Sequence, residues 1–175
     1  MRVFMTRLDC PATRAAVMIA SPRTFWSANE MMPHQEPKRL FAKDITGTIA
    51  ANRQQVDVQW RAGTLVIDEP TFNGGQDKGP DPFTLVLAGL VGCTLTTLRM
   101  YVHRKGWNID DIKVDANMVQ QREPFRTIIW RTVVVGQAIT DEQRDKLLYI
   151  AKNCPVARLL EGEIVIQTVL DGDLP

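Results

Sequence analysis

The stretch GPDPFTLVLAGLVGCTLTTLRMYVHRKGW, Gly79 to Trp107, is almost wholly apolar and carries one thiol, Cys93, in its middle. Asp81 is a good N-cap, and Pro82 suits the first helical turn, where its missing N–H costs nothing. From Phe83 to Leu95 the residues are apolar on nearly every side, which predicts a helix buried all round in its first half. Arg99, Arg104 and Lys105 gather near its C-terminus, which favours the macrodipole, and Gly106 is placed to end it. Cys93 then has two readings. A free cysteine packs as a small hydrophobe, or the apolar wall forms a pocket and the thiol is its working group. Gly89 and Gly92 flank Cys93, and a helix-interior glycine costs roughly 1 kcal/mol relative to alanine. That cost is often offset where another helix or a ligand approaches the backbone.

Before this helix, DITGTIA, QQVDVQW and TLVID are short, β-branched and alternating, separated by ANR and RAG. They predict a three-stranded antiparallel meander beginning near Lys43. The segment EPTFNGGQDKGPDP, Glu69 to Pro82, is a turn-rich loop. After the helix, IKVDANMVQ and RTIIWRTVVVGQA read as two longer strands. TDEQRDKLLYIAKN follows as a helix with a Thr140–Gln143 capping box. Pro155 restarts a short helix, PVARLLEG, and EIVIQTVL reads as a closing strand. The order β-β-β-α-β-β-α-α-β is α+β, with no βαβ run to imply a doubly wound sheet.

The 175 residues suit one domain, spanning 41–175, behind an N-terminal arm, 1–40, punctuated by Pro11, Pro22, Pro33 and Pro37. Apolar residues make up 45% of the chain and charged residues 23%, enough for a core without disulfide staples. A net charge of +1 gives no general attraction to nucleic acid or membrane. The sequence offers no run of roughly 18 consecutive apolar residues, so a transmembrane segment is not expected. The three scattered cysteines, Cys10, Cys93 and Cys154, do not make a disulfide framework. We therefore expect a cytoplasmic protein with reduced thiols.

Cys154 directly precedes Pro155 in NCPVARLL, so it stands where a helix begins. A thiol there faces the positive end of the helix dipole and free N–H groups, and Arg158 lies about one turn on. The bland alternative is a cysteine that merely ends a helix. With Cys93 it suggests a redox pair, brought together by the fold rather than by a local CxxC. A metal site is not expected. His103 lies ten residues beyond Cys93, roughly 15 Å along a helix, and His34 is in the arm. The loop NGGQDKGP lacks the ending of a P-loop, and the basic cluster RMYVHRKGW already has a structural reason at a helix end.

The motifs GGQDKGPDPFTLVLAGLVGCTLTTLRMYVHRKGW and DEQRDKLLYIAKNCPVARLLEGEIVIQT together resemble the OsmC/Ohr family, osmotically inducible and organic-hydroperoxide-resistance proteins. The likeness runs from Lys43 to about Leu170 and is nearest to the OsmC-like branch. It implies an OsmC-like fold that forms an intertwined homodimer around the cysteine helices. It also implies a thiol peroxidase with no resident cofactor, in which Cys93 is peroxidatic, Cys154 resolving, and an external dithiol the reductant. The family's activating arginine falls at Arg53 in the first hairpin turn, with Arg61 in WRAG the second choice. The family's acidic partner, nine or ten positions before the cysteine, is absent: Thr84 and Phe83 stand there. Thr84 or Glu69 is the available substitute. That departure keeps open an alternative, a non-enzymatic OsmC-like protein that binds a hydrophobic ligand or senses redox state.

Overall fold

The computed structural model describes residues 39–51 and 54–170. The chain divides into two units, Met1–Ala42 and Lys43–Pro175, and the elements below all belong to the second. The first hairpin and its neighbour form as the alternation predicts. Strands β1 (Thr46–Ile49), β2 (Val56–Trp60) and β3 (Gly63–Ile67) make an antiparallel meander in the order β1-β2-β3. Thr46 pairs with Gln59 and Val56 with Ile67. Its apolar side chains are half-buried or exposed, Val56, Val58, Val66 and Ile67 half-buried and Ile49 62% and Trp60 47% exposed.

The loop after β3 is organised by Asp68, only 2% exposed. Its carboxylate accepts hydrogen bonds from the backbone N–H groups of Glu69, Gln76 and Lys78 at 3.0–3.1 Å. The Lys78 N–H is the main reason the carboxyl is held below its ordinary range. Burial opposes it; the Gln76 and Glu69 N–H groups and the Lys78 charge assist. Two glycines let the loop close. A Cβ on Gly75 would sit 1.7 Å from the Glu69 carbonyl oxygen, and one on Gly79 would sit 2.2 Å from that of Val66. The glycine-rich segment is thus backbone turns.

Helix α1 (Pro82–Lys105) starts and stops where its residues dictate. The Asp81 carboxylate accepts from the N–H groups of Phe83 and Thr84, and Gly106 ends the helix at φ 64°. Arg99 does more than complement the dipole: its two Nη atoms donate to the Ile109 and Asp110 carbonyls at 2.6 and 2.5 Å. Helix α1 is not buried all round. One stripe at i+4 spacing, Leu90, Thr94, Leu98 and Val102, is buried. The opposite side is open, with Met100 68% exposed, and nothing lies within 4 Å of a Cβ built on Gly89 or Gly92. The sequence supplies apolar surface on every side, and the lone chain covers one of them.

By length and composition α1 could cross a membrane: it has 24 residues and an 18-residue window of mean hydropathy 1.6. The signal is one of composition, not of an unbroken apolar run, and a packed core helix gives it too. Its buried stripe nevertheless packs on protein, namely β4, α2 and α3.

Strands β4 (Ile112–Gln121) and β5 (Arg126–Val135) form an antiparallel pair, Ile112 opposite Val135 and Ala116 opposite Arg131. Helix α2 (Asp141–Lys152) carries the expected capping box, with Thr140 Oγ1 accepting from Gln143 N and Gln143 Oε1 from Thr140 N. Such a cap contributes about 1 kcal/mol. Helix α3 (Pro155–Glu161) follows at once. The core is helices on a sheet face: Leu98, Val102, Ile109, Leu147 and Ala151 pack with Ile112, Val133 and Val135. The closing strand expected at EIVIQTVL does not form. Residues 163–170 carry no regular structure and are exposed, Ile166 at 82%. A strand needs an edge for its N–H and C=O groups, and this segment pairs with none among the described residues.

Candidate active site

Cys93 lies at the midpoint of α1, one residue before the buried stripe position Thr94, and is half-buried. Cys154 is the N-cap of α3, as its place before Pro155 predicts, and is wholly buried. Both are free thiols. Cys154, Leu90 and Ala157 form a small buried cluster, against which Cys93, Ile129, Val156 and Leu160 pack. An open groove of about 870 Å³ runs alongside, with Leu90, Ile129, Arg131, Ala157 and Leu160 in its lining; neither cysteine lines it.

The charge in the cluster comes from β5. Ile129, Arg131, Val133 and Val135 are the half-buried alternate residues of that strand. Arg131 Nη1 donates to Thr94 Oγ1 at 2.7 Å and to Cys154 Sγ at 3.4 Å. Thr94 Oγ1 also lies 2.7 Å from the Leu90 carbonyl and 3.4 Å from Cys154 Sγ. A hydroxyl has one proton, so the pattern depends on the charge of the sulfur. Beside a neutral thiol the hydroxyl donates to Leu90 and accepts from S–H; beside a thiolate it can turn to the sulfur. Arg131 has only donors and favours the thiolate in either case.

Burial pushes the Cys154 thiol up, but the net direction is down. The Thr94 hydroxyl, the Ala157 N–H and Arg131, by hydrogen bond and by charge, outweigh the burial. The sulfur stands outside the geometry of a capping hydrogen bond.

A family model for OsmC-like protein matches residues 75–169, more than half of the chain. The protein belongs to the OsmC-like family. Comparison with curated proteins returned no match. Solved structures agree on the fold. An OsmC-like protein of Mycoplasma pneumoniae superposes with a TM-score of 0.58 at 19% identity, covering 68% of this chain and 86% of that one. The organic hydroperoxide resistance protein OsmC of Legionella pneumophila gives 0.55 at 16%, covering 71% and 93%. The organic hydroperoxide resistance protein OhrB of Bacillus subtilis gives 0.50 at 20%, again covering 71% and 93%. The α+β arrangement described above is thus the OsmC-like fold.

Within that fold the expected site residues fare differently. Cys93 packs against the cluster that contains Cys154. Arg53 lies outside the described residues, as does Cys10. Arg61 stacks over the Trp60 ring at 5.7 Å in the β2–β3 turn. The Thr84 hydroxyl donates to the Asp81 carboxylate, and the pair belongs to the α1 cap. Glu69 is likewise engaged in its own loop, accepting from Asn73 Nδ2 at 3.1 Å. The Arg158 side chain is exposed; only its backbone N–H reaches Cys154, donating to the carbonyl oxygen at 3.1 Å.

Sequence reading missed Arg131 and Thr94. The signal for Arg131 was its parity: in IIWRTVVV it shares alternate positions with Ile129, Val133 and Val135, so a core-facing charge was readable. Thr94 left a weaker trace, lying four residues from Leu90 and Leu98 on the stripe that becomes buried.

Proposed function

We propose that this OsmC-like protein is a cytoplasmic, homodimeric thiol peroxidase that reduces organic hydroperoxides to alcohols. One observation carries the reading: the half-exposed thiol of α1 and the buried thiol at the start of α3 pack against one apolar cluster. The Cys93 thiolate attacks the outer peroxide oxygen, and the O–O bond breaks. The electron pair leaves with the alkoxide, which takes a proton to become the alcohol, while Cys93 becomes a sulfenic acid. The Cys154 thiolate then attacks the Cys93 sulfur, forming the S–S bond and expelling hydroxide, which is protonated to water. An external dithiol returns the two electrons and reopens the disulfide. No resident cofactor is needed.

Apolar neighbours around the thiols, Leu90, Ile129, Val156 and Leu160, favour alkyl hydroperoxides over hydrogen peroxide. The bare glycine face of α1 and its exposed Met100 favour a second copy as their cover. Arg53 remains the proposed activator of Cys93, since a thiolate in apolar surroundings needs a cation.

The test is a stoichiometric titration of reduced protein with cumene hydroperoxide, hydrogen peroxide being run alongside. Two thiols per chain disappear rapidly with the organic peroxide, mass spectrometry finds the Cys93–Cys154 link, and Cys93→Ser abolishes turnover. Turnover that survives Cys93→Ser refutes the reading.

A second reading rests on the Thr84–Asp81 bond, which leaves the expected acidic support of an activating arginine unreplaced at that position. It is a non-enzymatic protein that binds a hydrophobic ligand or senses redox state. Thiols that stay free under cumene hydroperoxide would favour it.

A further inference from the structure

Arg131 presents a problem in electrostatics. Its strand positions point Ile129, Val133 and Val135 into the core clusters, and the guanidinium shares that face. A half-buried charge beside these clusters, at the edge of the open groove, loses part of its hydration and gains from an anionic partner. Among the described residues the salt bridge formed is Lys113–Asp115 on the surface, and no carboxylate pairs with Arg131. Its side-chain partners are a hydroxyl and a sulfur. The one acid within its reach is the Cys154 thiol. Other charged side chains on the surrounding elements, His103 on α1, Arg144 and Lys152 on α2, and Arg158 and Glu161 on α3, are exposed. Arg99 is committed to the Ile109 and Asp110 carbonyls.

We propose that Arg131, steadied by Thr94, is the positioning residue of the reductive half of the cycle, holding the Cys154 sulfur as a thiolate counter-ion. The proposal deepens the peroxidase reading and rests on the Cys93–Cys154 disulfide which that reading contains. In the disulfide the two sulfurs are unequal. Cys154 is wholly buried and Cys93 half-exposed, so an external thiolate reaches Cys93. It forms a bond to the Cys93 sulfur, and the Cys93–Cys154 bond breaks. The electron pair leaves on Cys154, where Arg131 waits. The reductant's second thiolate then displaces Cys93 as a thiolate, and the reductant departs as its own disulfide. A sulfur better stabilised as an anion leaves faster. The direction of Cys154's displacement, below the ordinary thiol range despite burial, agrees with this role.

The experiment separates this step from peroxide chemistry by making the disulfide with diamide rather than a hydroperoxide. Reduction by dithiothreitol is then timed in the full chain for wild type, Arg131→Met and Arg131→Lys. The Cys154 thiolate is titrated by its absorbance near 240 nm in the same three backgrounds carrying Cys93→Ser. We expect Arg131→Met to raise the titration midpoint by about one pH unit or more and to slow reduction at neutral pH by about threefold or more. Arg131→Lys keeps the charge and restores most of both. An unmoved midpoint, an unchanged reduction rate, or failure of diamide to link the two cysteines overturns the proposal. Methionine at 131 leaves an apolar strand face; should that variant not fold, the lysine variant and Thr94→Val decide by the same two readouts. A wild type inert to hydroperoxide whose diamide-made disulfide responds to Arg131 refutes the peroxidase reading and leaves this inference standing.

Discussion

A side chain's role in this protein depends on which charge or hydrogen-bonding group the fold brings within about 3 Å of it, and sequence position alone predicts that unevenly. Cys154 was legible because proline after cysteine fixes a helix start. Arg53, Arg61, Thr84, Glu69 and Arg158 were chosen by resemblance or nearness in sequence; four of them are described, and none of the four has its side chain bonded to a cysteine. Asp68 makes the same point. Of the two acids in IDEP it is Asp68, not Glu69, that gathers three N–H groups. Only N–H donors face it, so Asp68→Asn would turn an amide NH2 toward either one or two of them. We expect that variant to melt several degrees lower, measured by calorimetry. The same carboxylate gives a pH dependence. Its folded value is depressed, so its contribution is present above the ordinary carboxylate range and is lost as pH falls through the lower folded value. Amide exchange at Gln76 and Lys78 should therefore be protected at pH 6 and lose that protection in Asp68→Asn.

At the scale of elements, α1 was the best-read part of the chain because local chemistry sets its ends: Asp81 and Pro82 at one, Gly106 at the other. What the sequence could not divide was its apolar circumference. All sides look buried in composition, and packing selects Leu90, Thr94, Leu98 and Val102. The same limit explains EIVIQTVL, whose strand-like alternation has no edge to join in one chain. A glycine substitution on the open side distinguishes the lone chain from an assembled one. Nothing lies within 4 Å of a Cβ at Gly92. In an isolated chain Gly92→Ala would gain about 1 kcal/mol of helix propensity. If a second copy closes on this face, as we propose, the added methyl holds two backbones apart. We expect Gly92→Ala to lower the melting temperature and raise the dissociation constant of the dimer, followed by sedimentation equilibrium. A higher melting temperature with unchanged association would mean the face is not an interface.

For the whole molecule, the proposed assembly and the proposed chemistry place different demands on the same thiols. The face proposed to receive a second copy includes Gly89, Gly92 and Met100 of α1, all exposed. Cys93 is adjacent to that face, so a disulfide between two chains is a conceivable product of oxidation. The packing argues otherwise. Cys154 is wholly buried within its own chain, in the cluster that its own Cys93 abuts, with Thr94, Arg131 and Leu90 around it. A sulfur from another chain would have to displace that cluster, whereas the intrachain partner already packs against it. Oxidation should therefore close a loop within each chain and leave the dimer non-covalent. After cumene hydroperoxide, or diamide if the peroxide is inert, we expect oxidised wild type to run as a monomer on a non-reducing denaturing gel. Its native sedimentation should remain that of a dimer. Cys154→Ser removes the intrachain partner while sparing Cys93, so that variant should accumulate the Cys93 sulfenic acid under peroxide, trapped by dimedone at one label per chain. A covalent dimer in the wild type would place the reacting partner of Cys93 across the interface and would require a different neighbour for it than the cluster at the start of α3.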